Sequence, residues 1–447
     1  MRKPTNFTSF ILAAGDGKRM SSTRAKPLHQ VGGKPMLSWV IDTAITAGSN
    51  HLVIVTSPKH NQIEDYLSHN YEKLTSVKQD KALGTGHAAQ TAYNHKPVPN
   101  QPILVLFGDT PLITAETCQR LADSIASGAD LCVLGFEAAQ PQGYGRLKTD
   151  ESGALIAIIE EADASDTEKQ ISSVNAGVMA FSAQVADTYL PKIMNGNAQG
   201  EYYLTDLVSL CAADGLQIDY LLGDEAEVQG VNSRADLAAV EACLQHRLRH
   251  AAMAKGATLI APDTVFLSAD TICEPDVIIE PHVIIMGGCH IQTGAHIKAF
   301  SHLEGAIVGE EAIIGPYARL REGSRIGKSA KIGNFVETKK AIFEDGAKAN
   351  HLSYIGDATV GAKANIGAGT ITCNYDGYDK FKTEIGKGAF IGSNTALVAP
   401  VTIGDGAIIG AGSTITKTVK DNDLALTRAQ QRDLNDGAQK FRARKMK

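Results

Sequence analysis

Behind the short apolar run Ser9-Phe10-Ile11 comes a glycine-rich turn, Leu12 to Met20, reading LAAGDGKRM. Small residues there let backbone N–H groups approach an anion, and Lys18 and Arg19 add charge suited to a triphosphate, so phosphate chemistry is the first expectation. Lys26, in AKPLH, reads either as a point charge for a phosphate or as a plain surface lysine. Phosphoryl or nucleotidyl transfer also calls for a divalent cation on oxygen ligands. Asp109 ends the apolar run of residues 103–107 after Gly108 and could reach such a cation; the alternative is a helix cap for the segment after Pro111. Leu83-Gly84-Thr85-Gly86-His87 is a second glycine turn, able to offer backbone groups to a base or ribose. GYGR, Gly143 to Arg146, and VNAG, Val174 to Gly177, suit sugar hydroxyls or serve as structural turns.

A second set of reactive types lies far down the chain. His351, in AKANHLSY, has the titration range of a general base for acyl transfer to an amine; a structural histidine is the other reading. Arg321, Lys339 and Lys380 lie in or beside irregular stretches where isolated cations could hold a phosphate, and Tyr354, Asn365 and Asn374 supply neutral hydrogen bonds.

The elements that must position these groups differ between the halves. From residue 7 to about 230, apolar runs such as 52–55, 103–107 and 131–134 alternate with amphipathic stretches. That alternation predicts a parallel sheet covered by helices, a doubly wound α/β domain with ligands at the carboxyl ends of its strands. Pro35 and Gly48 bracket a helix carrying Leu37, Val40, Ile41 and Ala44. Ser233 and Asp236 can cap a connecting helix, 233–255, striped by Leu237, Val240, Leu244 and Leu248. Beyond Gly256 an aliphatic residue recurs every six positions: Ile272, Ile278 and Ile284, then, after a slip of one, Ile291, Ile297 and Leu303. The pattern continues as Val308, Ile314, Leu320, Ile326 and Ile332, and ends in the strict run Ile385, Ile391, Leu397, Ile403, Ile409 and Ile415. Such a period belongs to a solenoid of triangular coils, three hexapeptides to a coil, and the gap between Thr372 and Ile385 marks a loop expelled from it.

With 447 residues, 21% charged, 43% apolar and a net charge of −6, the chain is expected to be globular and without general affinity for nucleic acid. The basic tail, 440–447, is expected to be a solvated end. Seven cysteines scattered singly suggest neither a disulfide framework nor a zinc site. No signal peptide or membrane span is expected, which makes the cytoplasm the default.

Together these residues resemble the bacterial family of bifunctional enzymes that are both N-acetylglucosamine-1-phosphate uridylyltransferase and glucosamine-1-phosphate N-acetyltransferase. The likeness covers nearly the whole chain and rests on LAAGDGKRM, LGTGHA, GDTPL, GYGRL, NAQGEYYLTD, VQGVNSR, GNFVETKKA and, above all, NIGAGTITCNYDGYDKFKT. It implies a Rossmann-like nucleotidyltransferase domain over 1–232, a linker helix over 233–255, a left-handed parallel β-helix over 256–420 and a tail over 421–447. It further implies Leu12, Ala13 and Gly15 among the contacts to UTP or UDP-N-acetylglucosamine, Arg19 and Lys26 on the UTP phosphates, and Gln79, Gly84 and Thr85 around the uridine. Asp109 and Asn232 would hold Mg²⁺, and Gly145, Glu160 and Asn175 would meet the N-acetylglucosamine.

In the second site the resemblance implies Arg321, Lys339, Tyr354, Asn365 and Lys380 on glucosamine-1-phosphate, and His351 as the base, oriented by Glu337. Acetyl-CoA would lie along Ala368, Asn374, Tyr375, Ser393, Ala411 and Arg428, in a homotrimer. The chain departs from the family's commoner pattern at Asp16 and Lys18 in the glycine turn, in TRAKPLH before Lys26, and at Asn350 before His351. Two rival readings remain: a different sugar-1-phosphate nucleotidyltransferase whose solenoid only assembles or regulates, and a non-catalytic assembly subunit.

Overall fold

A computed structural model describes residues 4–15, 17–59, 61–72, 74–95 and 97–446, so Asp16 and Lys447 lie outside the described residues. The chain divides into two compact units, 1–244 and 245–447, within the helix Arg234–Ala254.

The first unit is built on a sheet whose strands run, side by side, Ile218–Leu222, Leu131–Glu137, Ser173–Phe181, Ile103–Phe107, Phe7–Leu12, Ser49–Thr56 and Thr75–Lys78. Phe7–Leu12 is parallel to both its neighbours. The sheet is not wholly parallel, as expected above: Ser173–Phe181 runs antiparallel to Ile103–Phe107 and Leu131–Glu137. The hairpin Arg146–Thr149 with Leu155–Ile159 hangs from that reversed strand. Because strand side chains alternate faces, Ile11, Ile54, Leu104 and Leu106 enter one apolar layer and Phe10, Val53, Val55, Ile103 and Val105 the other. Helices close both layers. Met36–Thr46 buries Leu37, Val40, Ile41 and Ala44 on one side, and Thr85–Tyr93 buries Ala88, Ala89 and Ala92 on the other.

In the helix Arg234–Ala254 the expected cap is present and reciprocal. Asp236 N–H donates to Ser233 Oγ at 3.2 Å, and Asp236 Oδ2 accepts from Ser233 N–H at 2.8 Å. Its C-terminal part belongs to the second unit, where Gln245 exchanges two hydrogen bonds with the main chain of Leu267 at 2.7 and 2.9 Å.

That unit is a left-handed parallel β-helix of three sheets with ten, nine and eight strands. The inward residues correct the register proposed from sequence. Cys273 is 8% exposed and Ile285 1%, whereas Ile272 and Ile284 are 54% and 37% exposed. Counted from Cys273, Ile279 and Ile285, the period of six runs unbroken through Ile291, Ile297 and Leu303, with no slip. Adjacent isoleucines at 278–279 and 284–285 hid the phase, since either could fill the core. The real shortenings are five-residue steps, Leu303 to Val308 among them, and the large insertion is 373–384, before Ile385. The helix Gly437–Lys445 in the basic tail is exposed at every residue after the half-buried Gly437.

Candidate active sites

The carboxyl ends of the central strands are tied together by main-chain bonds that place the candidate residues along one edge. Ala13 N–H donates to Val55 O at 2.8 Å, Gly108 N–H to Leu12 O at 3.0 Å and Gln79 N–H to Thr56 O at 2.9 Å. Gly17 turns the first loop at φ 58°, and a Cβ there would fall 2.8 Å from Lys26 Cβ, so the bare backbone lets the lysine pass beneath the turn. Lys26 then reaches inward. Its ammonium pairs with the Asp109 carboxylate and donates to Asn232 Oδ1 at 3.1 Å. The two charged side chains are only 12% and 18% exposed, which rules out the surface-lysine reading. Nor is Asp109 a helix cap, because Thr114 caps Ala115–Ala126 by accepting from Thr117 N–H at 3.2 Å. Asn232 is brought alongside by Val231 N–H, which donates to Asp109 O at 3.0 Å.

Asp109 Oδ2 and Asn232 Oδ1 therefore converge on a single cationic centre. Mg²⁺ takes one or two protein oxygens and completes its shell with phosphate and water, so this donor pair fits it. Arg19 and Gly15 are exposed on the glycine turn, and Arg19 has no polar partner among the described residues; Leu12 and Ala13 are buried beneath them.

Gln79, Gly84 and Thr85 come together at the second glycine turn. Gln79 Nε2 donates to Gly84 O at 3.1 Å, and Thr85 Oγ1 accepts from Leu204 N–H at 3.1 Å. Gly84 has φ 104°, and a Cβ on it would lie 2.6 Å from Tyr202 O, so no side chain can be added there. The adjacent Thr205 hydroxyl donates to Glu160 Oε1 at 3.0 Å, linking this turn to the second candidate cluster. There Asn175 N–H donates to Gly145 O at 2.8 Å, and Glu160 Oε2 lies 3.4 Å from where a Gly145 Cβ would stand. Burial, opposed by the Thr205 hydrogen bond, pushes the Glu160 carboxyl above its ordinary value. Arg146 was not singled out from sequence as anything more than part of a loop. It is 1% exposed and binds Glu161 Oε2 at 2.7 Å, while Gly143 N–H donates to the same oxygen at 3.3 Å, so this arginine pins the loop that carries Gly145.

In the β-helix, His351 and Asn334 face each other on neighbouring parallel strands, Lys348–His351 and Lys331–Asn334. His351 Nδ1 lies 2.6 Å from Asn334 Oδ1; an amide oxygen only accepts, so Nδ1 carries the hydrogen and, in the neutral ring, Nε2 holds the lone pair. Glu337, expected to orient this ring, instead accepts from Arg321 Nη1 at 2.9 Å. Asn350 forms no hydrogen bond to His351 among the described residues; its main chain packs on Gly333, where a Cβ would fall 1.9 Å from Asn350 O.

Arg321, Lys339 and Lys380 do come together. The Lys380 ammonium and then the Arg321 guanidinium hold the Lys339 ammonium below its usual range, the mark of like charges held close. Lys380 is delivered by the expelled loop, a small hairpin in which Tyr375 pairs with Lys380 and Phe381 N–H donates to Asn374 O at 2.9 Å. Tyr354 pairs with Glu337 across the same sheet, its ring over Gly356, and Asn365 pairs with Lys348.

Four of the six expected acetyl-CoA residues form one column. Asn394 N–H donates to Ala368 O at 2.7 Å, Gly412 N–H to Ser393 O at 2.8 Å and Arg428 Nη1 to Ala411 O at 2.9 Å, so one corner of successive coils carries all four. Asn374 and Tyr375 do not join that column. Asn374 is buried at the base of the loop, where its Nδ2 donates to Asp357 Oδ2 at 2.5 Å, and Tyr375 is exposed on the loop itself.

Residues 9–180 match the family model of the MobA-like NTP transferase domain, and residues 382–417 that of the bacterial transferase hexapeptide, six repeats. Over 434 residues the chain is 56% identical to the Bifunctional protein GlmU of Parvibaculum lavamentivorans, covering 97% of this chain and 96% of the relative. It is 54% identical to the protein of the same name from Maricaulis maris over 440 residues, 98% of this chain and 96% of the other. With that of a Bradyrhizobium species the identity is 49% over 439 residues, 98% of each. No helix among the described residues is long and apolar enough to cross a membrane. The chain belongs to the bifunctional GlmU family: it is an enzyme of UDP-N-acetylglucosamine synthesis that joins a uridylyltransferase domain to a hexapeptide acetyltransferase domain, using UTP, Mg²⁺ and acetyl-CoA.

Proposed function

We propose that the two reactions are divided between the two residue clusters, and that the convergence of Lys26, Asp109 and Asn232 on one cationic centre carries the reading for the first. Asp109 and Asn232 would hold Mg²⁺, which when bound neutralises charge on the triphosphate. Lys26 and Arg19 bind phosphate oxygens, Gln79, Gly84 and Thr85 hold the uridine, and Gly145, Glu160 and Asn175 hold the N-acetylglucosamine. The sugar phosphate's oxygen attacks the α-phosphorus of UTP and the bond to pyrophosphate breaks. The protein's part is positioning and charge neutralisation rather than covalent chemistry.

In the β-helix the cations of Arg321, Lys339 and Lys380 bind the phosphate of glucosamine-1-phosphate, with Tyr354 and Asn365 on the sugar. What supports this is the mutual repulsion of those cations, which lowers the Lys339 ammonium and which a phosphate would relieve. His351 Nε2 takes a proton from the sugar amine as the nitrogen attacks the thioester carbonyl and the CoA thiolate leaves. The column of Ala368, Ser393, Ala411 and Arg428 holds acetyl-CoA, while Asn374 and Tyr375 stand outside it on the loop.

A homotrimer is the assembly we favour. Rings of His282, Phe300, Tyr317 and Phe335 stack up one corner at centroid spacings of 4.9, 4.8 and 5.2 Å, and Leu352, next to His351, extends this exposed apolar column. A neighbouring copy would cover it. We assign the functional boundaries to 1–232, 233–255, 256–420 and 421–447, and the protein to the cytoplasm, where seven free thiols are at home.

The test is an assay with glucosamine-1-phosphate, acetyl-CoA, UTP and Mg²⁺ that follows CoA thiol and pyrophosphate separately. Release of both, with pyrophosphate dependent on prior acetylation, is expected. Pyrophosphate formed only from added N-acetylglucosamine-1-phosphate, with no thiol, would leave the β-helix a structural domain.

A further inference from the structure

The side-chain amide of Gln79 is held in one orientation. Its Nε2 donates to Gly84 O at 3.1 Å and lies 2.9 Å from His87 Nδ1. A carbonyl oxygen only accepts, so the Gly84 contact places the NH₂ end, not the oxygen, on this side. The second N–H then needs an acceptor at His87 Nδ1, which fixes that imidazole as the tautomer protonated on Nε2. Gln79 is 4% exposed, and among the described residues no donor reaches its Oε1.

His87 is itself well anchored. It lies in the first turn of the helix Thr85–Tyr93, its ring 6.2 Å from that of Tyr202. Tyr202 grips the turn from both sides, donating from N–H to Leu83 O and accepting from Gly86 N–H, each at 2.8 Å. The acceptor nitrogen facing Gln79 is thus carried on a rigid turn.

We propose that His87 sets the base selectivity of the nucleotidyl site by locking Gln79 with its oxygen, rather than its NH₂, toward the base; this rests on the reading of Gln79 as a base contact. Uracil N3 carries a hydrogen and donates, whereas cytosine N3 is a bare lone pair. An oxygen presented there accepts from uracil and repels cytosine, and a flipped amide does the reverse. The two ends of a glutamine amide are nearly identical in shape, so only its hydrogen-bond partners hold it against flipping. With Gly84 alone holding it, turning over loses one hydrogen bond; with His87 it also requires the imidazole to move its proton from Nε2 to Nδ1 or lose the second bond. His87 acts through Gln79 and is a positioning residue.

The experiment measures kcat/KM for UTP and for CTP, by pyrophosphate release with N-acetylglucosamine-1-phosphate, in the full-length protein and in His87→Ala, His87→Asn, His87→Lys and Gln79→Ala. His87→Ala lowers the UTP:CTP ratio by about tenfold or more while kcat with saturating UTP changes less than about twofold, as expected for a change in hydrogen-bond selectivity. His87→Asn keeps the ratio, because its Oδ1 accepts from Gln79. His87→Lys, which can only donate, lowers it furthest, and the Asn–Lys contrast decides the matter if the alanine variant fails to fold. A wild-type ratio in His87→Ala and His87→Lys, with a reduced one in Gln79→Ala, would overturn the proposal while leaving Gln79 on the base. An unchanged ratio in Gln79→Ala would remove the base contact itself, and loss of selectivity in His87→Asn equal to that in His87→Ala would show a merely structural histidine.

Discussion

The Lys26 ammonium and the Asp109 carboxylate, 83 positions apart in the chain, form a poorly exposed ion pair at the carboxyl edge of the central sheet, with Asn232 as third partner. The lysine stands at the point on which both oxygen donors converge. On the proposed reading, Asp109 and Asn232 would give their oxygens to Mg²⁺ and the Lys26 ammonium would be released to a phosphate.

Replacing Asp109 by Ala removes one of the two oxygens proposed for Mg²⁺ and leaves the ammonium with Asn232 alone. Pyrophosphate release should fall by about 100-fold or more, the scale for losing a charge-stabilising group at a reacting phosphate. Thiol release by the β-helix should stay within about twofold of wild type, since its residues lie in the other unit. Parallel measurement of the two products decides the point, and equal loss of both would reject independent sites.

For the acyl transfer, His351→Ala should cost on the order of 10²- to 10⁴-fold in thiol release, the usual contribution of a general base, with pyrophosphate release from added N-acetylglucosamine-1-phosphate unchanged. Asn334→Asp gives a distinct signature. A carboxylate beside Nδ1 favours the imidazolium, which cannot act as base, so the acid limb of the rate profile should move to higher pH. A limb that stays in place would separate Asn334 from the ring's function.

Repulsion within the cation trio makes the next expectation one of opposite signs. The Lys380 and Arg321 charges hold the Lys339 ammonium below the ordinary value, so Lys380→Ala removes an unfavourable contact as well as a proposed phosphate ligand. The melting temperature should not fall, while KM for glucosamine-1-phosphate rises by about tenfold or more, as for loss of a charge-assisted hydrogen bond. A lower melting temperature with unchanged KM would make the trio structural.

Glu160 gives a pH dependence. Its carboxyl is raised above the ordinary value of 4.5, first of all by burial, so the folded protein holds the proton more tightly than the unfolded chain. Its contribution to stability is then greatest below the unfolded value and is lost as pH rises from there through the raised folded value. Glu160→Gln removes this loss. The melting-temperature difference, variant minus wild type, should be more positive at pH 7 than at pH 4, and KM for N-acetylglucosamine-1-phosphate should rise by about tenfold. Thermal scans at the two pH values and a substrate titration check the two halves independently.

Periodicity and turn chemistry determined the architecture from the sequence alone. A helix between Pro35 and Gly48, a strand over 103–107, the Ser233–Asp236 cap and the hexad solenoid all follow from interactions spanning a few residues, which a local pattern records. The phase of the first coils did not follow, because paired isoleucines satisfy either choice until the coil above selects one. Local spacing could not show that Ser173–Phe181 runs backwards, that Lys26 is buried against Asp109, that Asn334 rather than Glu337 holds His351, or that Asn374 binds Asp357 away from the Ala368 column. Those pairings join residues 17 to 83 positions apart, and chain folding, not side-chain type, decides which of several chemically equivalent partners arrives within hydrogen-bond distance. Residue types thus told which reactions the chain is equipped for, and only the tertiary structure decided which oxygen, nitrogen or charge each reactive group meets.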